Sequence, residues 1–199
     1  QSALAIAGRH AAQALLTLNQ LRRRDGYLHV RNALTRIHDL GAIAVVNEND
    51  SVAVAELMTT FGDNDRLAAQ VAGLLDQVLL VILSDVDGLY DGPPGEAGSK
   101  RIELVESLDE QILGLAQDHR SKLSKGGMAS KLAAAQLATS HGHSVIIGPG
   151  HDDHVLEKVL AGETIGTLFL PCEKSLRGLR RWISASAAVE GQLIIDAGA

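Results

Sequence analysis

Val78-Leu79-Leu80-Val81-Ile82-Leu83-Ser84-Asp85-Val86-Asp87-Gly88 is the most apolar run of the chain followed at once by a polar, glycine-punctuated turn. Six consecutive apolar residues without alternation predict a strand covered on both faces, which is the habit of parallel sheets. Working outward, Ala42 to Val46 and Ser144 to Ile147 read as further strands, and Gly166 to Leu170 as a weaker fourth. Between them, Leu, Ile and Ala recur at helical spacing over Gly26 to Leu40, Asn64 to Leu75, Asp109 to Gln117, Met128 to Ser140 and Asp153 to Leu160. Strands alternating with helices predict βαβ units and an α/β fold with a mainly parallel sheet.

Composition agrees with that reading. Apolar residues form 46% of the 199 and aromatic ones only 3%, so the core must be built from aliphatic side chains and alanine. A net charge of −6 opposes whole-chain attraction to nucleic acid or anionic membrane. The single cysteine, Cys172, cannot form an intrachain disulfide and fits a reducing, cytoplasmic setting. No apolar run approaches the ~20 residues of a membrane span, so no membrane partner is expected. The first residue is not Met and the chain stops at Asp196-Ala197-Gly198-Ala199, which reads as a fragment.

Parallel sheets present their chemistry in the loops at the carboxyl ends of strands. After Val46 comes Asn47-Glu48-Asn49-Asp50-Ser51-Val52, whose amides and carboxylates suit an amino group, although an Asx-rich turn explains the segment equally simply. Before the helix at Asn64 stands Gly62-Asp63-Asn64-Asp65-Arg66; one of these residues can be an N-cap, and three polar side chains exceed what a cap requires. Ser84 and Asp85 lie where a nucleotide would meet the sheet. The following Asp-x-Asp-Gly lacks the downstream ligands of a calcium loop.

Ser124-Lys125-Gly126-Gly127-Met128-Ala129-Ser130-Lys131 joins a glycine turn to a helix N-terminus, an arrangement whose free amides and dipole suit phosphate. Lys131, one turn into the helix, can meet a transferring phosphoryl group. Neither the Walker A nor the dinucleotide glycine pattern is present, and an ordinary glycine turn before a surface helix remains the competing reading.

In order along the chain, Asn47 to Val52, Gly62 to Leu67, Ser84 to Tyr90 and Gly126 to Lys131 resemble the successive motifs of the glutamate 5-kinases, within the amino acid kinase family. Tyr27 to Asn32, Gly166 to Phe169 and Arg181-Trp182-Ile183 extend the resemblance through most of the chain. It implies a three-layer α/β sandwich over residues 1–171 that binds L-glutamate and ATP with Mg²⁺ and forms γ-glutamyl phosphate for proline synthesis. Asp50 and Asn64 match glutamate-binding positions, with Asn47 and Asp63 as neighbours. Ser84, Asp85, Lys125, Gly126, Gly127, Met128, Ala129, Ser130 and Lys131 match nucleotide contacts. Lys131 would stabilise the transferring phosphoryl group and Asp65 would hold the catalytic lysines. The resemblance also implies a homo-oligomer inhibited by proline, and a PUA-like domain beginning in residues 172–199, with Trp182-Ile183 and Gln192 to Ile195 as short strands.

Departures from the family pattern are equally definite. Its N-terminal strand and glycine-rich phosphate loop, with a further lysine, would precede Gln1, so the 199 residues are expected to be inactive alone. The stretch from Gly8 to Thr17 is shorter than the pattern, Leu57 to Phe61 is longer, and Lys125 replaces a small hydroxyl residue. Two other classes compete with the enzyme: a catalytically silent kinase-like scaffold, and an RNA-binding protein acting through the terminal module. His141, His143, His151 and His154 suggest zinc by composition, but they span two ends of a strand and read better as residues of solvated loops. The basic run from Lys174 to Arg181 reads as a solvated linker rather than an RNA contact.

Overall fold

The computed structural model describes Leu4 and residues 6–52, 64–115, 127–172 and 179–185. Strand β1 (His10–Leu16) lies parallel to β2 (Ala42–Glu48), in a register that places Ala12 beside Ala44 and Leu16 beside Glu48. Thr17 then starts α1 (Leu18–Arg22) with a capping box, its hydroxyl accepting from the Gln20 amide while the Gln20 side chain accepts from the Thr17 amide. The long α2 (Arg24–Asp39) returns the chain to β2 through Gly41, whose φ of +71° is the left-handed conformation that glycine adopts without strain.

After α3 (Asn64–Leu74) come β3 (Leu79–Ser84), β4 (Leu104–Val105), α4 (Glu110–Leu115), α5 (Met128–Ser140), β5 (Ser144–Pro149), α6 (Val155–Leu160) and β6 (Thr167–Phe169). Among the described residues these strands form a second sheet in the order β3-β5-β6-β4. The β3–β5 and β4–β6 pairs are parallel, and β5–β6 is antiparallel. The fold is therefore α/β and mainly parallel, as the apolar run at Val78 to Leu83 predicts. The two described sheets are not joined to each other, whereas one buried sheet was the expectation.

Alanine and glycine make the helix packing close. Ala69 on α3 and Ala134, Ala135 and Ala138 on α5 are buried together with Ile82, Val145, Ile147 and Phe169. Thr167, fully buried, donates to the Ile102 carbonyl at 2.6 Å and accepts from the Leu89 amide at 2.8 Å, which ties the excursion after β3 to the sheet. A second apolar cluster gathers Leu21, Tyr27, Leu34, Leu67 and Leu74, with Trp182 packed against it.

Two expectations fail here. Trp182-Ile183 is not a strand: it belongs to α7 (Leu179–Ala185), whose Trp182 packs against the second cluster. And His10 to Leu16, regarded from sequence only as a shortened segment, is a strand. The expected strand at Gln192 to Ile195 lies outside the described residues.

Candidate active site

The helix-borne part of the site is assembled by two N-termini. Asn64 and Asp65 open α3, and Gly127 is the extended N-cap of α5 (φ −64°, ψ −174°), so that Ser130 and Lys131 fall in its first turn. The two helices pack along their alanine faces, which brings residues 66 positions apart together: Lys131 Nζ donates to Asp65 Oδ2 at 3.1 Å. Ser130 Oγ donates to the same oxygen at 3.4 Å. The ion pair is half-sheltered, with side-chain exposures of 12% for Lys131 and 18% for Asp65. Such shelter reduces screening and fixes the ammonium in space.

The strand-borne part lies at carboxyl ends. Asn47 is the penultimate residue of β2, and the turn after it is held by the Asn49 amide donating to the Leu16 carbonyl at 2.8 Å and by Ser51 Oγ donating to Asn49 Oδ1 at 2.6 Å. Asp50 is exposed in that turn. At the end of β3, Ser84 is buried and donates to Asp85 Oδ1 at 3.1 Å, while Asp85 stays exposed. The Gly150 amide donates to the Ser84 carbonyl at 2.6 Å, and a Cβ on Gly150 would stand 3.1 Å from that oxygen. The loops after β3 and β5 are thus drawn tightly together.

Between the two sheets lies an apolar groove of about 420 Å³. Ala44 and Val46 of β2 form one wall, Val78 and Leu80 the other, and Leu67 and Val71 of α3 line it too, with Asn47 and Asn64 as its polar residues. Among the described residues β2 and β3 each end their sheet, so both strand edges flank this groove.

The sequence-derived residues are therefore placed as follows. Asp65, Ser130 and Lys131 meet directly, and Asn47 and Asn64 share the groove. Ser84 and Asp85 meet at the end of β3, and Gly127, Met128 and Ala129 open α5. Asp63, Lys125 and Gly126 lie outside the described residues.

The histidines need a correction. His141 and His143 do not belong to solvated loops: each is 1% exposed, because α3 and α5 approach so closely there that a Cβ on Gly73 would stand 2.4 Å from His141 Nδ1. Burial pushes the His141 imidazole down to about 4 and lowers that of His143, with the Arg181 charge adding to both. His151 faces Asp87 at 3.7 Å and His154 pairs with Glu157 at 3.0 Å. Among the described residues no group of three or more His, Cys, Asp or Glu side chains is placed to hold a metal. Arg181 also departs from expectation, since only 13% of its side chain is exposed and it bonds Asp76 and the Leu75 carbonyl. Lys174 and Arg177 lie outside the described residues. Sequence reading missed Gly150 and Gly73, which show no motif of their own.

Residues 1–149 match the amino acid kinase family. Over 192 residues the chain is 61% identical to the glutamate 5-kinase of Rhodopirellula baltica, covering 96% of this chain and 49% of that one. Over 194 residues it is 43% identical to the glutamate 5-kinase of Dehalococcoides mccartyi, covering 96% and 52%. A solved UMP kinase from Bacillus anthracis aligns with a TM-score of 0.49 and 14% identity, over 82% of this chain and 59% of that chain. The chain spans about half the length of the curated relatives it matches.

Proposed function

Since the chain belongs to the amino acid kinase family, we propose that, at the length of its curated relatives, it transfers the γ-phosphoryl group of ATP to the side-chain carboxylate of L-glutamate, the opening step of proline synthesis. The observation that carries the reading is the Lys131–Asp65 pair across the N-termini of α5 and α3. Relatives named glutamate 5-kinase at 61% and 43% identity support the choice of acceptor.

The chemistry asks little covalent help of the protein. A glutamate carboxylate oxygen attacks the γ-phosphorus, the bond to the ADP oxygen breaks, and γ-glutamyl phosphate and ADP result. A carboxylate is already a nucleophile, so no general base is required; the barrier lies in bringing two anions into line. Lys131 neutralises charge growing on the phosphoryl oxygens, and Asp65 keeps its ammonium aimed. The first turn of the 13-residue α5, opened by Gly127, Met128 and Ala129, turns the positive end of its dipole toward the phosphates, with Lys125 and Gly126 just upstream, while the Ser130 amide donates to the Gly127 carbonyl at 3.0 Å. Ser84 and Asp85 border the nucleotide, and Asn47, Asp50, Asp63 and Asn64 hold glutamate's amino and carboxylate groups.

Mg²⁺ fits the donors present. It prefers oxygen ligands, brings most of them as water and phosphate oxygens, and Asp85 offers an exposed carboxylate beside the nucleotide position. When bound, it would neutralise phosphate charge.

The glycine-rich loop and further lysine that the resemblance implies would arrive on an additional strand seated in the apolar groove, between the open edges of β2 and β3. Residues 172–199 are proposed to lead from the kinase domain of residues 1–171 into a PUA-like domain, and the protein to act in the cytoplasm as a proline-inhibited homo-oligomer. None of the described helices is long and apolar enough to cross a membrane.

The test is to trap acyl phosphate with hydroxylamine from protein of the relatives' length, offering L-glutamate, N-acetylglutamate or aspartate with ATP and Mg²⁺. Hydroxamate from free glutamate alone supports the reading; a better signal with N-acetylglutamate or aspartate reassigns the acceptor.

A further inference from the structure

Helix α7 lies far along the chain from the elements it touches, yet its contacts are specific. Trp182 Nε1 donates to the Leu21 carbonyl at 3.2 Å, and the indole packs against the cluster of Leu21, Tyr27, Leu34, Leu67 and Leu74. The Arg24 guanidinium stands over both the Trp182 ring, at 5.7 Å, and the Tyr27 ring, at 5.4 Å. One residue earlier, Arg181 Nη1 donates to the Leu75 carbonyl at 3.1 Å and to Asp76 Oδ1 at 3.0 Å. It thereby covers carbonyls at the carboxyl end of α3, where a cation is favoured. Arg31 of α2 approaches the other Asp76 oxygen at 3.5 Å, and Tyr27 Oη donates to the Gly73 carbonyl at 3.0 Å.

Beneath this contact sit the two buried imidazoles. His143 Nδ1 accepts from the Val78 amide at 3.4 Å, so its proton is carried on Nε2, which is enclosed without a hydrogen-bond partner. Protonating Nδ1 ends that acceptance and places a cation near the Arg181 guanidinium, whose charge also acts on His141. The charged and titratable groups facing the pair are Arg181 on α7, which acts on both imidazoles, His143, which acts on His141, and Asp76 just past α3, which acts on His143. Arg31 and Tyr27 of α2 stand one contact further out. Asp76 alone favours protonation, and it is already shared between two arginines.

We propose that α7 is an acid-released latch: while His141 and His143 are neutral, Arg181 and Trp182 pin the carboxyl end of α3, and protonating the pair expels Arg181 and frees that end. The consequence reaches the site because α3 is one uninterrupted helix from Asn64 to Leu74, about 15 Å long. Asn64 and Asp65 stand at its other end. That last consequence rests on the function proposed above, whereas the latch does not.

Trp182 is the sole tryptophan of these residues, so its exposure reports the latch without any substrate. Acrylamide quenching of its emission would be followed from about pH 7.5 to 3, corrected with Trp182→Phe, alongside far-ultraviolet circular dichroism. The expected result is a rise of about twofold or more in quenching, with a midpoint between about 4 and 6.5, while helicity holds. The double variant His141→Asn/His143→Gln should lose this transition. Should the pair not fold, His143→Gln alone, whose amide oxygen can still accept from Val78, should make the transition shallower. Quenching that stays flat, that rises only together with loss of helicity, or that is unchanged in the folded histidine variants overturns the latch.

Discussion

Replacing Asp65 by Asn removes the charge that faces Lys131 while keeping the shape of the side chain. The pair is 3.1 Å apart and only 12–18% exposed, so it lies between an exposed ion pair, worth about 0–1 kcal/mol, and a buried one, whose breakage costs about 3–5 kcal/mol. An intermediate coupling of roughly 1–3 kcal/mol follows, with Ser130 able to keep its contact to the amide oxygen. The measurement is a double-mutant cycle of Asp65→Asn, Lys131→Met and the combined variant, by urea unfolding and by rate of acyl phosphate formation. In stability, the double variant should be less destabilised than the two single effects added together. In rate, Asp65→Asn should lose about 10- to 100-fold, because the ammonium is no longer aimed, and should add little once Lys131 is gone. Additivity within about 0.5 kcal/mol, or an Asp65→Asn enzyme of full activity, refutes the claim that the two side chains act as one device.

Further outcomes follow from the packing. Gly73→Ala should destabilise by roughly 1–3 kcal/mol despite the gain in helix propensity of about 1 kcal/mol, since its methyl would stand 2.4 Å from His141 Nδ1; an unchanged urea midpoint contradicts this. His141 is neutral in the fold and protonates near 6.5 when unfolded, so its contribution is complete above pH 6.5 and is lost as pH falls toward its folded value of about 4. The loss reaches about 3 kcal/mol, and a His141→Asn variant should flatten the acid limb of the stability curve. Gly166→Ala should cost more than Gly73→Ala, because φ is +68° and the Cβ would meet the Ile147 carbonyl oxygen at 2.2 Å.

What could be read in the sequence was what is encoded locally. The apolar run Val78 to Leu83 became the strand Leu79–Ser84, shifted by one residue and with Leu79 and Leu83 exposed rather than covered, and Met128 to Ser140 is a helix because alanine and leucine favour one. His10-Ala-Ala-Gln-Ala-Leu-Leu16 has no β-branched residue, and its strand character comes from lying beside β2. Trp182-Ile183 misled in the opposite direction, since aromatic and β-branched neighbours favour strands until a packing partner decides otherwise.

The site shows the same division. Motif order singled out Asn47, Asn64, Ser84 and Lys131, and the strand and helix periods placed them at strand ends and in first helical turns. The Asp65–Lys131 contact depends on helices 66 residues apart and could be expected only through the family resemblance. The burial of His141 and His143 was hidden because the residues around them, Ser140, Gly142 and Ser144, are those of a turn, while Gly73 and Val78, which approach them, come more than 60 residues earlier.

The most direct test is Lys131→Ala in protein of the relatives' length, with glutamate-dependent acyl phosphate formation and nucleotide affinity measured on the same preparation. A loss of transfer by about a thousandfold with ATP affinity changed less than about tenfold is the predicted result, because the lysine's charge is needed most where the phosphoryl group is in flight. Transfer at the parental rate from a folded Lys131→Ala protein would contradict the account.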